Sequence, residues 1–162
     1  MKTTFIAGLV LAAALPLTVL AAGEHDHAHS HAHGEHAAAP SGQPGDPQQV
    51  TRSIEVLLSD DMRFTPDHIE VQAGETIRFV VRNSGQVDHE MVLGQMAELQ
   101  AHALEMRANP GMVHAEPNQL YLQPGQQGEL VWHFTTAGKV DIACTIPGHL
   151  EAGMVGAINV AP

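Results

Sequence analysis

Near the C-terminal end of the chain, the run D-I-A-C-T-I-P-G-H-L-E-A-G-M-V-G sets Cys144, His149 and Met154 at the spacing Cys-x4-His-x4-Met. A thiolate, an imidazole and a thioether so close in sequence are a metal-ligand pattern. Residues 139–143 read as a strand that carries Cys144 to the end of a sheet. Pro147-Gly148 turns the chain back toward the same point, and Gly153 gives Met154 room before a last strand begins. A fourth donor must come from elsewhere, and His89, in V-D-H-E-M-V-L-G after the turn at 83–85, is the best candidate by position. Two imidazoles, one thiolate and one weak thioether are the ligand set of blue-copper electron-transfer sites. Zinc prefers four strong nitrogen, sulfur or oxygen donors and is served poorly by a thioether. Cys144 is the only cysteine. Exported proteins usually pair theirs, and the plain account of a lone one, a small buried hydrophobe, gives way once its neighbours are considered.

The elements that must position these donors are short strands. Residues 53–59, 69–71, 76–82, 89–93, 120–122, 129–135, 139–144 and 154–160 carry β-branched or alternating apolar residues, separated by turn signals such as Asn83-Ser84-Gly85, Pro124-Gly125 and Ala137-Gly138. That texture predicts an all-β sandwich or barrel. One stretch differs: over 95–107, Met96, Leu99, Ala103 and Met106 form a single apolar stripe at helical spacing, which predicts one inserted helix packed on the sheets. Leu130, Trp132 and Phe134 alternate onto one face, so His133 is expected to face water; His68 and His102 are also read as surface residues. Met91 shares a sheet face with His89.

Three segments are expected. Residues 1–22 read as a secretory signal: Lys2, then an apolar run from Phe5 to Leu20, then Ala21 and Ala22 as the cleavage region. The run is too short and wrongly flanked for a membrane span, and no cysteine lies near the cleavage point to carry a lipid anchor. Residues 23–50 hold G-E-H-D-H-A-H-S-H-A-H-G-E-H and a Pro-containing linker, with no large aliphatic or aromatic residue before Val50, and read as disordered. Residues 51–162 form a single domain. The net charge of −11 becomes −12 once Lys2 leaves with the signal, which argues against nucleic acid or an anionic membrane as partner.

The segment C-T-I-P-G-H followed by a methionine resembles the azurin- and rusticyanin-like ligand loops of the cupredoxins. F-T-P-D-H-I-E-V-Q-A-G-E-T-I-R-F-V-V-R-N-S-G and H-E-M-V-L-G resemble the first half of the same fold, and the likeness covers about residues 52–161. It implies a cupredoxin-like Greek-key β-sandwich holding one type 1 copper. His89 and His149 would bind through Nδ1, Cys144 would make the short equatorial bond, and Met154 would be axial. In electron-carrier cupredoxins the residue after the upstream histidine is commonly Asn or Ser and helps tie the two ligand loops together; here it is Glu90. The inserted helix and the histidine-rich head look more like the periplasmic copper-resistance cupredoxins.

His25, His27, His29, His31, His33 and His36 of the tail, with Glu24, Asp26 and Glu35, are read as a weak, unselective auxiliary site for extra copper. Met112 and His114, with Met62, Met91, Met96 and Met106, could build a second Cu(I) site, but packing or chance is the better account of them. A multicopper enzyme needs further histidine sets, and outside the tail the chain has six histidines and no His-x-His pair; no enzyme activity is expected. The expectation is a monomeric, soluble periplasmic protein that binds, buffers or oxidises excess copper. The alternative is a mobile carrier passing single electrons to a redox protein partner such as a cytochrome or oxidase. The histidine tail favours the first, since a carrier needs no second chelator.

Overall fold

A computed structural model of the chain describes residues 42–109 and 115–162. The expected signal segment, the histidine tail, Met112 and His114 lie outside the described residues.

The described residues form ten strands and one helix: β1 (Gly42–Pro44), β2 (Arg52–Ser59), β3 (Arg63–Thr65), β4 (His68–Gln72), β5 (Thr76–Asn83), β6 (His89–Gly94), α1 (Met96–Ala108), β7 (Gln119–Leu122), β8 (Gln127–Phe134), β9 (Gly138–Ala143) and β10 (Val155–Ala161). They form two five-stranded sheets, ordered β1-β8-β5-β2-β3 and β4-β10-β9-β6-β7. β2 with β5 and β4 with β10 are parallel pairs, and the other pairs are antiparallel. The mostly β architecture with one helix is the one the sequence predicts.

Period-two alternation explains which residues meet between the sheets. From the first sheet Val56, Leu58, Ile77, Phe79, Val81, Leu130, Trp132 and Phe134 point inward; from the second come Ile69, Val71, Met91, Leu93, Val140, Ile142, Ile158 and Val160. Phe79 and Phe134 meet edge-on, with ring centroids 6.4 Å apart, an arrangement aromatic quadrupoles favour.

β6 is buried along its whole length because both of its faces are covered. Met91 and Leu93 enter the main core, while Val92 faces outward into a second apolar cluster with Leu99 of α1, Ala143, Leu150 and Val155. The helix stripe is thus seated through Leu99 and Ala103, with Met96 and Met106 half-buried at its margins. Its first turn is held by carboxylates: Glu98 accepts the Gln95 N–H at 3.3 Å and Asp141 accepts the Met96 N–H at 3.0 Å. At its last turn Arg107 is ion-paired with Glu151.

Two strands were not legible in the sequence. β1 lies in the stretch read as disordered linker: Gly42, Gln43 and Pro44 pair with Phe134, His133 and Trp132, and the Gly45 N–H donates to the Val131 carbonyl at 2.9 Å. G-Q-P carries no strand signal, and Pro44 is tolerated because β1 is an edge. β3, three residues long, forms the opposite edge of the same sheet. His133 is half-buried rather than simply exposed, because its Nδ1 lies 3.0 Å from the Thr76 hydroxyl on β5. Among the described residues no helix is long and apolar enough to cross a membrane.

Candidate metal centre

β9 ends at Ala143, and the inward register of Val140 and Ile142 continues to Cys144, which is fully buried. The chain then makes a closed loop. The His149 N–H donates to the Ile146 carbonyl at 3.0 Å, the Met154 N–H to the His149 carbonyl at 3.0 Å, and the Cys144 N–H to the Met154 carbonyl at 3.1 Å. Gly148 and Gly153 adopt φ of 95° and 93° at the two bends, a region that other residues enter only with strain. The loop therefore starts and finishes at one place, and Cys144 and Met154 come side by side, both with 0% exposure. Across from them His89 opens β6, where the Asn83 side chain fixes the approach: its amide donates to the carbonyls of Val87 and Leu122 and its oxygen accepts the Gly85 N–H.

The ligand atoms of His89, Cys144 and His149 all lie within 4.8 Å of one another. Cys144 Sγ is 3.2 Å from His149 Nδ1, and the two imidazole centroids are 5.0 Å apart. His89 is fully buried, yet its Nδ1 has no hydrogen-bond partner. Its other nitrogen, Nε2, lies 3.0 Å from Asp60 Oδ1. The Asp60 carboxyl is held below its usual range by the Gln86 N–H and then by His89. An ionised carboxylate only accepts, so Nε2 carries a proton, and in the neutral ring Nδ1 is left as a bare lone pair on the side of the cluster.

That orphaned lone pair is the observation by which a metal can be tested here. Burying an unpaired acceptor is costly, and a cation placed among these donors removes the cost. The protonation states agree. Burial pushes the Cys144 thiol up to about 12, with the Glu90 charge adding to the rise and the backbone N–H groups of Glu90 and Ile146 opposing it. Without a cation the sulfur keeps its proton. Burial, then the neighbouring His89, lowers the pKa of His149, which favours the neutral ring that a metal needs as a donor. The donor set of two imidazoles and a thiolate, with the Met154 thioether buried at the loop's end, fits copper. Bound copper would supply a one-electron couple; the protein supplies a fixed, water-poor set of donors.

Glu90 departs from the family's Asn or Ser but performs the same tie. Its buried carboxylate accepts the Thr145 N–H at 2.9 Å and the Thr145 hydroxyl through Oε1, and the Gln119 amide at 2.7 Å through Oε2. Its own N–H points at Cys144 Sγ at 3.4 Å. The strand bearing His89 is thereby bolted to the loop bearing Cys144. Asp88 accepts the Tyr121 hydroxyl, and that bond, with a smaller contribution from burial, raises the Tyr121 pKa to about 12. Met91 is a core residue, Met62 packs partly buried against that core, and His68 is exposed beside Asp67. Sequence reasoning missed Asp60: it stands in a turn 29 residues before His89, and nothing in S-D-D-M marks it.

Comparison with known proteins shows the family. The family model for copper binding proteins of the plastocyanin/azurin family matches residues 51–161. The copper-resistant cuproprotein CopI of Rubrivivax gelatinosus is 50% identical over 155 residues, covering 94% of this chain and 93% of that one. CopI of Pseudomonas aeruginosa is 41% identical over 150 residues, covering 75% of this chain and 82% of that one. A solved structure of auracyanin B superposes with a TM-score of 0.61 at 23% identity, over 77% of this chain and 97% of the other; that likeness shows the fold. The chain belongs to the plastocyanin/azurin family of copper binding proteins, the cupredoxins.

Proposed function

We propose that this protein is an exported, periplasmic cupredoxin with one redox-active type 1 copper, held by His89, Cys144, His149 and Met154, and that it serves copper tolerance by binding, buffering or oxidising excess copper. The observation that carries the reading is the meeting of His89, Cys144 and His149 within 4.8 Å around an unpartnered, fully buried His89 Nδ1. The role in tolerance rests on the similarity to two proteins named copper-resistant cuproproteins. The histidine tail adds weak donors for collecting copper. No catalytic turnover of an organic substrate is proposed.

A second reading, a mobile electron carrier, is favoured by one feature: His149 is half-buried at the surface, beside exposed Pro147 and Ala152 and half-buried Ile146 and Leu150, which suits a small, transient interface.

The test is the visible and paramagnetic resonance spectrum of the Cu(II)-loaded mature protein beside its Cys144→Ala variant. Intense thiolate-to-copper absorption that vanishes in the variant is expected. A pale cupric spectrum unaffected by the substitution would overturn the ligand set. Cells lacking the protein should lose copper tolerance, and restoration by a variant without residues 23–39 would remove the tail from the account.

A further inference from the structure

Among the described residues, Asp60 is a charged side chain that touches a proposed ligand through its outward nitrogen. It sits between β2 and β3 with its carboxylate 41% exposed, while the His89 ring it meets is fully buried. The same carboxylate accepts the Gln86 N–H at 2.8 Å, and the Val87 N–H lies 3.5 Å away. One anion therefore brackets both the loop that leads into β6 and the far side of the ring. Gly85 leaves it the space: a Cβ there would lie 1.9 Å from Asp60 Oδ1.

We propose that Asp60 is a positioning and tuning residue that fixes His89 as the Nε2–H tautomer and makes its Nδ1 a more basic donor, so that the site holds Cu(II) more tightly relative to Cu(I). The reason is electrostatic. A carboxylate hydrogen-bonded to the far N–H pulls that proton outward, and the negative charge stays on the imidazole's side of the site, next to a cation that carries one more charge when oxidised. A neutral acceptor in the same place would orient the ring without that bias. Carboxylate partners of ligating histidines raise ligand basicity, and losing such a partner costs roughly 10–100-fold in metal affinity. If the loss falls on Cu(II) and spares Cu(I), the reduction potential rises by about 60–120 mV, at 59 mV per tenfold for one electron.

The inference rests on the type 1 reading above, and the wild-type spectrum decides that reading separately. The experiment compares the holoprotein with Asp60→Asn, which keeps an oxygen for Nε2–H but removes the charge. Measurements are the reduction potential, the Cu(I) affinity by competition with a chromophoric chelator, and the His89 ring ¹⁵N shifts in the diamagnetic Cu(I) form. Expected are a potential raised by about 60–120 mV, a Cu(I) affinity changed less than about threefold, and a retained Nε2–H tautomer. An unchanged potential in a folded, thiolate-coloured Asp60→Asn protein would overturn the proposal and leave Asp60 as a loop bracket. So would a wild-type His89 protonated at Nδ1 without metal. If Asp60→Asn does not fold, Gly85→Ala tests the contact itself, by pushing the carboxylate off Nε2 while its charge stays in the protein. A raised potential supports the proposal and an unchanged one refutes it.

Discussion

Glu90 and Thr145 allow the bolt between the two ligand-bearing segments to be weighed. Thr145 has 0% exposure and Glu90 1%, so water cannot replace either partner. The Thr145 hydroxyl and N–H both reach Glu90 Oε1. A hydrogen bond to a charged group contributes about 1.5–3 kcal/mol, and a buried donor left alone costs about 1–3 kcal/mol. Thr145→Val removes the hydroxyl bond but leaves the N–H bond, and Glu90→Gln keeps an acceptor while removing the charge. In a double-mutant cycle on the metal-free protein, followed by urea unfolding, the two should couple by about 1 kcal/mol, the difference between a hydrogen bond to a charged acceptor and one to a neutral acceptor. The N–H bond survives in every corner of the cycle and the Gln amide oxygen can still accept the hydroxyl, so the coupling reports what the carboxylate's charge adds to the hydroxyl bond. Additivity to within about 0.5 kcal/mol would refute the reasoning, because it would mean that the carboxylate is satisfied elsewhere or solvated and is not the tie between His89 and Cys144.

Leu99 is 2% exposed between α1 and β6; Leu99→Ala should destabilise the protein by about 2–3 kcal/mol, near the low end for buried leucines because the site lies under a single helix, and a loss below about 1 kcal/mol in urea unfolding would show that the helix is not seated by its stripe. With the Cys144 thiol at about 12, the metal-free protein is protonated there at neutral pH, so calorimetry of copper loading in buffers of different ionisation enthalpy should show about one proton released per copper; no release would mean that the thiolate does not bind. The Arg52 guanidinium holds the Glu75 carboxyl below its ordinary range, with the Gln72 N–H helping. A depressed carboxyl stabilises the fold fully above the unfolded value of about 4.3 and loses that contribution as pH falls through the lower folded value. Glu75→Gln should therefore flatten the acid side of the stability profile while leaving its shape near neutrality unchanged, and an undiminished acid slope in the variant would place the linkage elsewhere.

Much of this was legible in sequence because it is local. The alternation of Leu130, Trp132 and Phe134 named the buried face of β8, the stripe through Leu99 and Ala103 named the buried face of α1, and Cys144, His149 and Met154 are brought to one place by a single short loop whose bends fall on glycines. What escaped was long-range or carried by backbone alone. β1 exists because β8 offers an unpaired edge to whatever chain runs past it, and G-Q-P has no side chain that announces the pairing. Asp60 gains its meaning only when the turn after β2 folds against the entry to β6, a contact of 29 residues' separation. Glu90 was visible as a departure from the family's usual Asn or Ser; its partners Thr145 and Gln119 were not, because they come from the other ligand loop and from β7.

The same long-range contacts explain how so small a domain holds its proposed centre still. The ligand loop is gripped at three points by elements outside it: Glu90 of β6 takes Thr145, Arg63 of β3 donates to the Gly153 carbonyl at 3.1 Å, and Arg107 of α1 pairs with Glu151. Apolar packing of Leu150 and Val155 beside Leu99 closes the remaining side. Donors fixed in this way limit how far the geometry can follow a change in the metal's charge, a condition that favours fast one-electron transfer. Two carboxylates, Asp60 behind the His89 ring and Glu90 beneath the Cys144 loop, add negative potential to that fixed frame. If both are ionised in the holoprotein, their combined bias is toward the oxidised ion. That direction suits the oxidising variant of the proposed tolerance role, since copper held as Cu(II) is withheld from the soft thiolate ligands elsewhere that prefer Cu(I).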